Sequence, residues 1–157
     1  MTEFLSALQN SGFGTWLRES ASIWAYPTIL TLHTAGLAVL VGASAAVDLR
    51  VLGVAPAIPM RALVRAFPIM WVGFWVNTLS GVLLFVGDAT KFGTEPVFLV
   101  KLGIIAVGIA LIFALKRTLY GGSVEQARTT GAARLAAAAS LAVWIAAIAT
   151  GRYMAYA

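Results

Sequence analysis

Residues 23–47 read IWAYPTILTLHTAGLAVLVGASAAV, and this stretch decides the fold. It is long enough to cross a bilayer, for which a helix needs about 20 mostly apolar residues. Near its middle sits His33, the only histidine in the chain. An ionisable side chain at mid-membrane is costly; it usually faces a bundle interior and pairs there. Seven residues along a helix return to nearly the same face. Glu19, Tyr26, His33 and Leu40 are therefore expected to line up as a polar ladder from one membrane surface to the centre. Gly36 and Ser44 continue that face beyond the histidine.

The 157-residue chain is 61% hydrophobic and only 11% charged. Soluble domains carry about 25% charged residues. With a mean hydropathy of +0.90, too little polar surface remains to coat a soluble globule, so lipid is the expected solvent. The absence of cysteine excludes disulfides, thiolate metal sites, iron–sulfur clusters, c-type haem attachment and cysteine nucleophiles. The net charge of +5 does not come from basic clusters interleaved with aromatics, so no nucleic-acid partner is expected. It reads as a record of membrane topology.

The expected fold class is all-α: one integral membrane domain over 1–157, an up-down four-helix bundle. The spans are expected at about 23–47, 62–86, 97–115 and 135–150. Pro27 falls in the first turns of the first span, where a missing N–H costs least. Pro56 and Pro59 mark the following loop, GVAPAIPMR, and ATKFGTE forms the next. The longest polar loop, TLYGGSVEQARTTGAAR, carries the turn signal Gly121-Gly122. Residues 1–20 lack the basic region and apolar core of a secretory signal. They read as a short amphipathic helix along the interface, broken by Gly12 and Gly14. In the fourth span, Ala132, Ala136 and Ser140 form one small-residue stripe; Ala139, Ala147 and Gly151 form another. Such stripes let helices pack closely in lipid.

Sidedness follows from Lys and Arg. The loops after spans one and three hold seven: Arg50, Arg61, Arg65, Lys116, Arg117, Arg128 and Arg134. The opposite side holds four: Arg18, Lys91, Lys101 and Arg152. Both termini are therefore expected outside a bacterial inner membrane. Trp16, Trp24, Tyr26, Tyr153 and Tyr156 then form an outer aromatic belt. Trp71, Trp75 and Trp144 lie deeper, where they line a cavity, pack the bundle or face lipid.

His33 is the sharpest site candidate, as a metal ligand or a structural polar contact. Haem b is the concrete cofactor reading: His33 as ligand, Gly36 admitting a flat ring, Lys101 and Arg152 neutralising propionates, and Met70, another subunit or nothing as the second ligand. One histidine cannot make a bis-histidine site in one chain. The bland alternative is a neutral histidine bonded to Asn77, which residue counting puts at similar depth, or to Thr34 or a backbone carbonyl. Lys101 calls for a partner such as Glu19 or Asp88, or snorkels to the rim. No Walker, HExxH or GxSxG motif occurs. No catalytic residue is assigned, and the chain reads as no enzyme on its own.

The series RES (18–20), YP (26–27), LHTAGLAVLVG (32–42), DLRVLG (48–53), FPIMWVGFWVNTLSGVLLF (67–85), FLVKLG (98–103) and AIATGRYMAY (147–156) resembles an uncharacterised bacterial family of four-span membrane proteins, a domain of unknown function. The resemblance implies the four-helix membrane fold and picks out Glu19, Pro27, His33, Gly36, Gly42, Asp48, Arg50, Lys101 and Arg152. A looser similarity links the His-bearing span to copper-resistance-type and small cytochrome-b-type bundles. This chain departs from both in lacking a second histidine.

Two functions follow as expectations. One is a small membrane subunit of a redox complex, binding haem b through His33 for electron transport. The other is a non-catalytic accessory or scaffold subunit with His33 as a structural contact. Either predicts a homo-oligomer or a subunit of a larger membrane complex, with the lipid bilayer as surroundings. Proton or solute transport along the Glu19–Tyr26–His33 ladder ranks below both, since no inverted repeat is visible.

Overall fold

The computed structural model describes residues 2–120 and 130–156, and its described elements are all helical. They are α1 (Thr2–Gln9), α2 (Gly12–Glu19), α3 (Tyr26–Leu52), a 3-10 turn (Met60–Arg65), α4 (Ala66–Gly87), α5 (Ala89–Thr94), α6 (Pro96–Tyr120) and α7 (Gly131–Tyr156). Four helices, α3, α4 with its preceding turn, α6 and α7, are long and apolar enough to cross a membrane. This is a multi-pass membrane protein with an up-down four-helix bundle. The Gly121-Gly122 turn signal and Arg128 lie outside the described residues.

Three spans are longer than expected, and the third, α6, runs on past residue 115 to Tyr120. Helix α3 does not stop at Val47 but runs on to Leu52. Asp48 and Arg50 end the apolar run, but they do not break a helix. The stop is Gly53, whose φ of 90° suits glycine and whose N–H bonds back to Arg50 and Leu49 carbonyls. Helix α7 starts at Gly131 because Thr130 caps it: its Oγ1 accepts from the Ala133 N–H at 3.2 Å. At 1.5 Å per residue α3 is about 40 Å long, more than the roughly 30 Å hydrocarbon core.

The expected single N-terminal helix is two. The break is at Asn10–Ser11, and Gly12 and Gly14 sit inside α2. Ser11 caps α2 by accepting from the Gly14 N–H at 3.2 Å. A Cβ on Gly14 would lie 2.3 Å from the Gln9 carbonyl oxygen, so the close turn between α1 and α2 demands glycine there. The stretch ATKFGTE, expected as a loop, contains α5.

These short elements close the Tyr26 end of the bundle. Leu5 of α1 packs on Gly93 of α5, and Leu17 of α2 on Gly87, the last residue of α4. The Arg18 Nη1 donates to the Gln9 carbonyl at 2.7 Å and the Gly87 carbonyl at 3.0 Å. A cation thus sits on the orphan carbonyls of two helix C-termini, where the helix dipole favours it. Gln9 Oε1 in turn accepts from the Thr90 N–H at 2.8 Å and from the Thr90 hydroxyl.

At the Leu52 end, Arg50 Nε donates to the Ile58 carbonyl at 2.5 Å, and the Tyr120 hydroxyl to the Met60 carbonyl at 2.9 Å. The main core lies in this half: Leu40 and Val47 of α3, Phe67 and Met70 of α4, Leu115 of α6 and Trp144 of α7. Helix α3 packs directly on α4 and α7, and α6 on α7. The α4–α6 side is bridged by large rings, Trp71 on Phe113 and Phe85 on Phe98, each with centroids 5.3 Å apart.

The tightest contact is between α3 and α4. A Cβ on Gly36 would lie 2.6 Å from the Asn77 backbone nitrogen and 2.9 Å from the Gly73 carbonyl oxygen. A Cβ on Gly73 would lie 2.6 Å from the Leu40 nitrogen. The backbones touch, as small residues permit in lipid. On α7 the buried stripe is Ala133, Ala137, Ser140, Trp144 and Ala147. It shares Ser140 and Ala147 with the two expected stripes, whereas Ala132 is exposed and Ala136 and Ala139 are half-buried.

Gly36→Ala therefore forces two backbones apart, with an expected loss of about 1–3 kcal/mol, the usual cost of overpacking. Gly42, on the same helix, has nothing within 4 Å of an added Cβ, so Gly42→Ala should be neutral. Denaturant unfolding of both variants in micelles checks this; equal effects would show that the close approach is not what holds α3 to α4.

Candidate functional site

His33 lies two turns into α3 and is half-buried against α4. Its ring rests on Gly81, where a Cβ would come within 3.0 Å of Cε1. Nδ1 is 2.9 Å from the Asn77 backbone oxygen and 3.3 Å from Ser80 Oγ. A carbonyl can only accept, so Nδ1 carries the proton and donates. The Ser80 hydroxyl donates to the Val76 carbonyl at 2.6 Å, which leaves its oxygen free to accept from Nδ1. In return, Asn77 Nδ2 donates to the His33 carbonyl at 2.8 Å. The two helices are cross-bonded in both directions. With the proton on Nδ1, the lone pair remains on Nε2, 3.4 Å from Asn77 Nδ2.

The other sequence candidates fall in different places. Gly36 is on the α3–α4 contact, covered by the α4 backbone rather than open to a flat ring. Met70 is in the core, 2% exposed. It lies seven residues from Asn77 toward the Leu52 end, about 10 Å along the helix, and so is not brought to His33. Lys101 is half-buried on α6, with Nζ near Gly151 of α7: a Cβ there would be 3.5 Å away. Arg152, the next residue, is exposed, so these two cations share the Tyr26 end. Among the described residues no group of three His, Asp or Glu side chains is placed to hold a metal ion.

The polar ladder is corrected. Glu19 ends α2, and residues 20–25 are not helical, so no helical register links Glu19 to His33. Both Glu19 and Tyr26 are exposed. Trp16, Trp24, Tyr26 and Tyr153 are exposed at this end of the bundle; the side chain of Tyr156 lies outside the description. Trp75 is exposed on α4, and Trp71 packs on Phe74 and Phe113. Trp144 is 1% exposed and fits against Gly108 of α6.

A second polar cluster went unread in the sequence. Asp48 of α3 is fully buried, beside Ser44 of α3 and Ser140 of α7, which are also buried. Ser44 Oγ is 3.3 Å from Asp48 Oδ2 and 3.3 Å from Ser140 Oγ. Among the described residues, Asp48 Oδ1 and Trp144 Nε1 are buried without a hydrogen-bond partner. The signal was there: Ser44 and Asp48 are four apart and share a helix face. Asp48 follows the apolar run directly and so reads as its end.

A family model described as a family of unknown function (DUF6644) matches residues 13–157. The chain belongs to that family. No curated protein and no solved structure matches it.

The His33–Asn77 bonds make a quantitative prediction. In a double-mutant cycle of His33→Ala and Asn77→Ala, unfolding free energies in micelles should be non-additive by about 0.6–2 kcal/mol, the range for interhelical bonds in lipid. Additive effects would mean that the bonds do not couple the helices.

Proposed function

We propose that this family member is a non-catalytic accessory or scaffold subunit of a membrane assembly, in which His33 acts as a polar lock between its first two spans. One observation carries the reading: the imidazole is engaged by Asn77 and Ser80 of the neighbouring span, and Asn77 bonds back to the His33 carbonyl. A polar group in lipid that is satisfied in this way works as glue between helices. The seven-to-four split of Lys and Arg favours both termini outside a bacterial inner membrane. The bilayer and further copies or other membrane subunits are its partners.

Haem b bound through His33 in an electron-transport assembly is the second reading, because Nδ1–H donation to a backbone carbonyl is also how ligand histidines are oriented, with Nε2 toward the metal. The residues of one chain do not fit a self-contained six-coordinate haem. Gly36 is covered by α4, and Met70 is two turns away along that helix. A second ligand would have to come from another chain.

Native mass spectrometry from mild detergent, with an absorption spectrum of the same sample, separates the readings. The accessory reading expects a species heavier than the 16.5 kDa chain, no Soret band, and loss of assembly in His33→Ala. A colourless monomer removes it. A Soret band that disappears in His33→Ala moves the conclusion to haem.

Orientation has its own check. Lys91 and Arg61 are exposed at opposite ends of the bundle. An impermeant thiol reagent on intact cells should label Lys91→Cys and spare Arg61→Cys; the reverse pattern inverts the topology.

A further inference from the structure

The α3–α7 interface holds a carboxyl group that the His33 reading leaves unused. Asp48 is 0% exposed, Ser44 2% and Ser140 1%. An ionised carboxylate offers about four acceptor positions. Here it meets the Ser44 hydroxyl at 3.3 Å from Oδ2, and Oδ1 has no partner among the described residues. A buried charge in that state is strongly unfavourable unless something neutralises it.

The basic side chains of the surrounding elements are engaged elsewhere or exposed. On α3 itself, Arg50 Nε donates to the Ile58 carbonyl. On α6, Lys116 Nζ lies 5.8 Å above the Phe67 ring, and Arg117 is exposed. Arg134 of α7 and Arg61 and Arg65 of the 3-10 turn are exposed. Glu125 and Arg128 lie outside the described residues. None of these described basic side chains pairs with Asp48, and the neutralising charge argued for is a small cation taken up from solution. A hard metal ion takes about six oxygen ligands. This cluster offers the two carboxyl oxygens and two hydroxyls, and the hydroxyls are already 3.3 Å apart. A proton needs no added volume.

We propose that Asp48 is a proton-binding site buried between helices, carried as the carboxylic acid with Ser44 and Ser140 as its hydrogen-bond relay. One O–H bond forms, on Oδ2, with a proton delivered by hydronium, which leaves as water; release reverses the step. The acid proton donates to Ser44 Oγ, and the Ser44 hydroxyl donates to Ser140 Oγ. Oδ1 is then a neutral carbonyl oxygen, whose lack of a partner is far less unfavourable than that of a carboxylate. Asp48 is four residues from the end of α3, about 6 Å along the axis, so water at the Leu52 end is the proton source.

Infrared spectroscopy of the whole protein in lipid nanodiscs at neutral pH tests this. The expected result is a protonated-carboxyl C=O stretch that is lost completely in Asp48→Asn and shifts in frequency, without loss, in Ser44→Ala. No such band in the unaltered protein at neutral pH overturns the proposal, and so does a band unchanged in Asp48→Asn. Replacing Na+ by choline should leave the melting temperature unchanged; a Na+-dependent shift absent from Asp48→Asn would assign the site to a metal cation instead. If Asp48→Asn does not fold, the spectra of the unaltered protein and Ser44→Ala decide.

Discussion

The contact between Gly36 and Gly73 sets the geometry of the bundle. Side chains in lipid gain little by leaving one apolar medium for another, so helix association rests on close packing and on polar bonds between helices. Both devices occur together on α3 and α4. The backbones meet where neither residue has a Cβ, and one turn away His33 and Asn77 exchange hydrogen bonds. Each helps the other. Without the close approach, the imidazole could not reach the Asn77 carbonyl. Without those bonds, His33 and the Asn77 amide would sit unpaired in a medium with no water to satisfy them.

The same rule explains the hydroxyls. Thr31, Thr34 and Thr118 are exposed on helices that face lipid, yet each donates to the carbonyl four residues back, at 2.8, 3.0 and 2.8 Å. They need no partner helix. His33, Asn77, Asp48 and Ser140 carry groups that their own helices do not satisfy, and all four lie on helix–helix interfaces. Polarity in this chain is sorted by whether a side chain can close its own hydrogen bonds.

The four long helices were legible because an apolar run of membrane length has few other readings. Pro27 and the His33–Asn77 depth match were legible too, since both depend on spacing along regular helices. What depended on irregular backbone was not. The Glu19 ladder assumed a helix through residues 20–25, which are not helical. Gly36 reads equally as room for a ring or room for a helix, and only the partner backbone distinguishes them. Met70 and His33 are both in spans, but two antiparallel helices fix which residues are level, and that register comes from the Gly36–Gly73 contact. Asp48 lay hidden because a charge after an apolar run looks like a membrane boundary. Its burial depends on α7, whose buried stripe runs through Ala133 and Ala137 rather than Ala132 and Ala136 before it meets Ser140.

The two polar clusters of α3 are separate by construction. His33 and Asp48 are fifteen residues apart, about 22 Å along the helix. Between them come the Gly36 backbone contact and Leu40, which is 2% exposed. A charge or proton crossing from one cluster to the other would have to pass a region where two backbones touch and an apolar side chain fills the remaining space. Opening it would pull apart the contact that holds α3 to α4. A helix held this closely to α4, with separate polar clusters facing α4 and α7, suits a part that holds a fixed shape. It suits a conduit poorly, because the fold has placed its closest packing where a conduit would need its clearance.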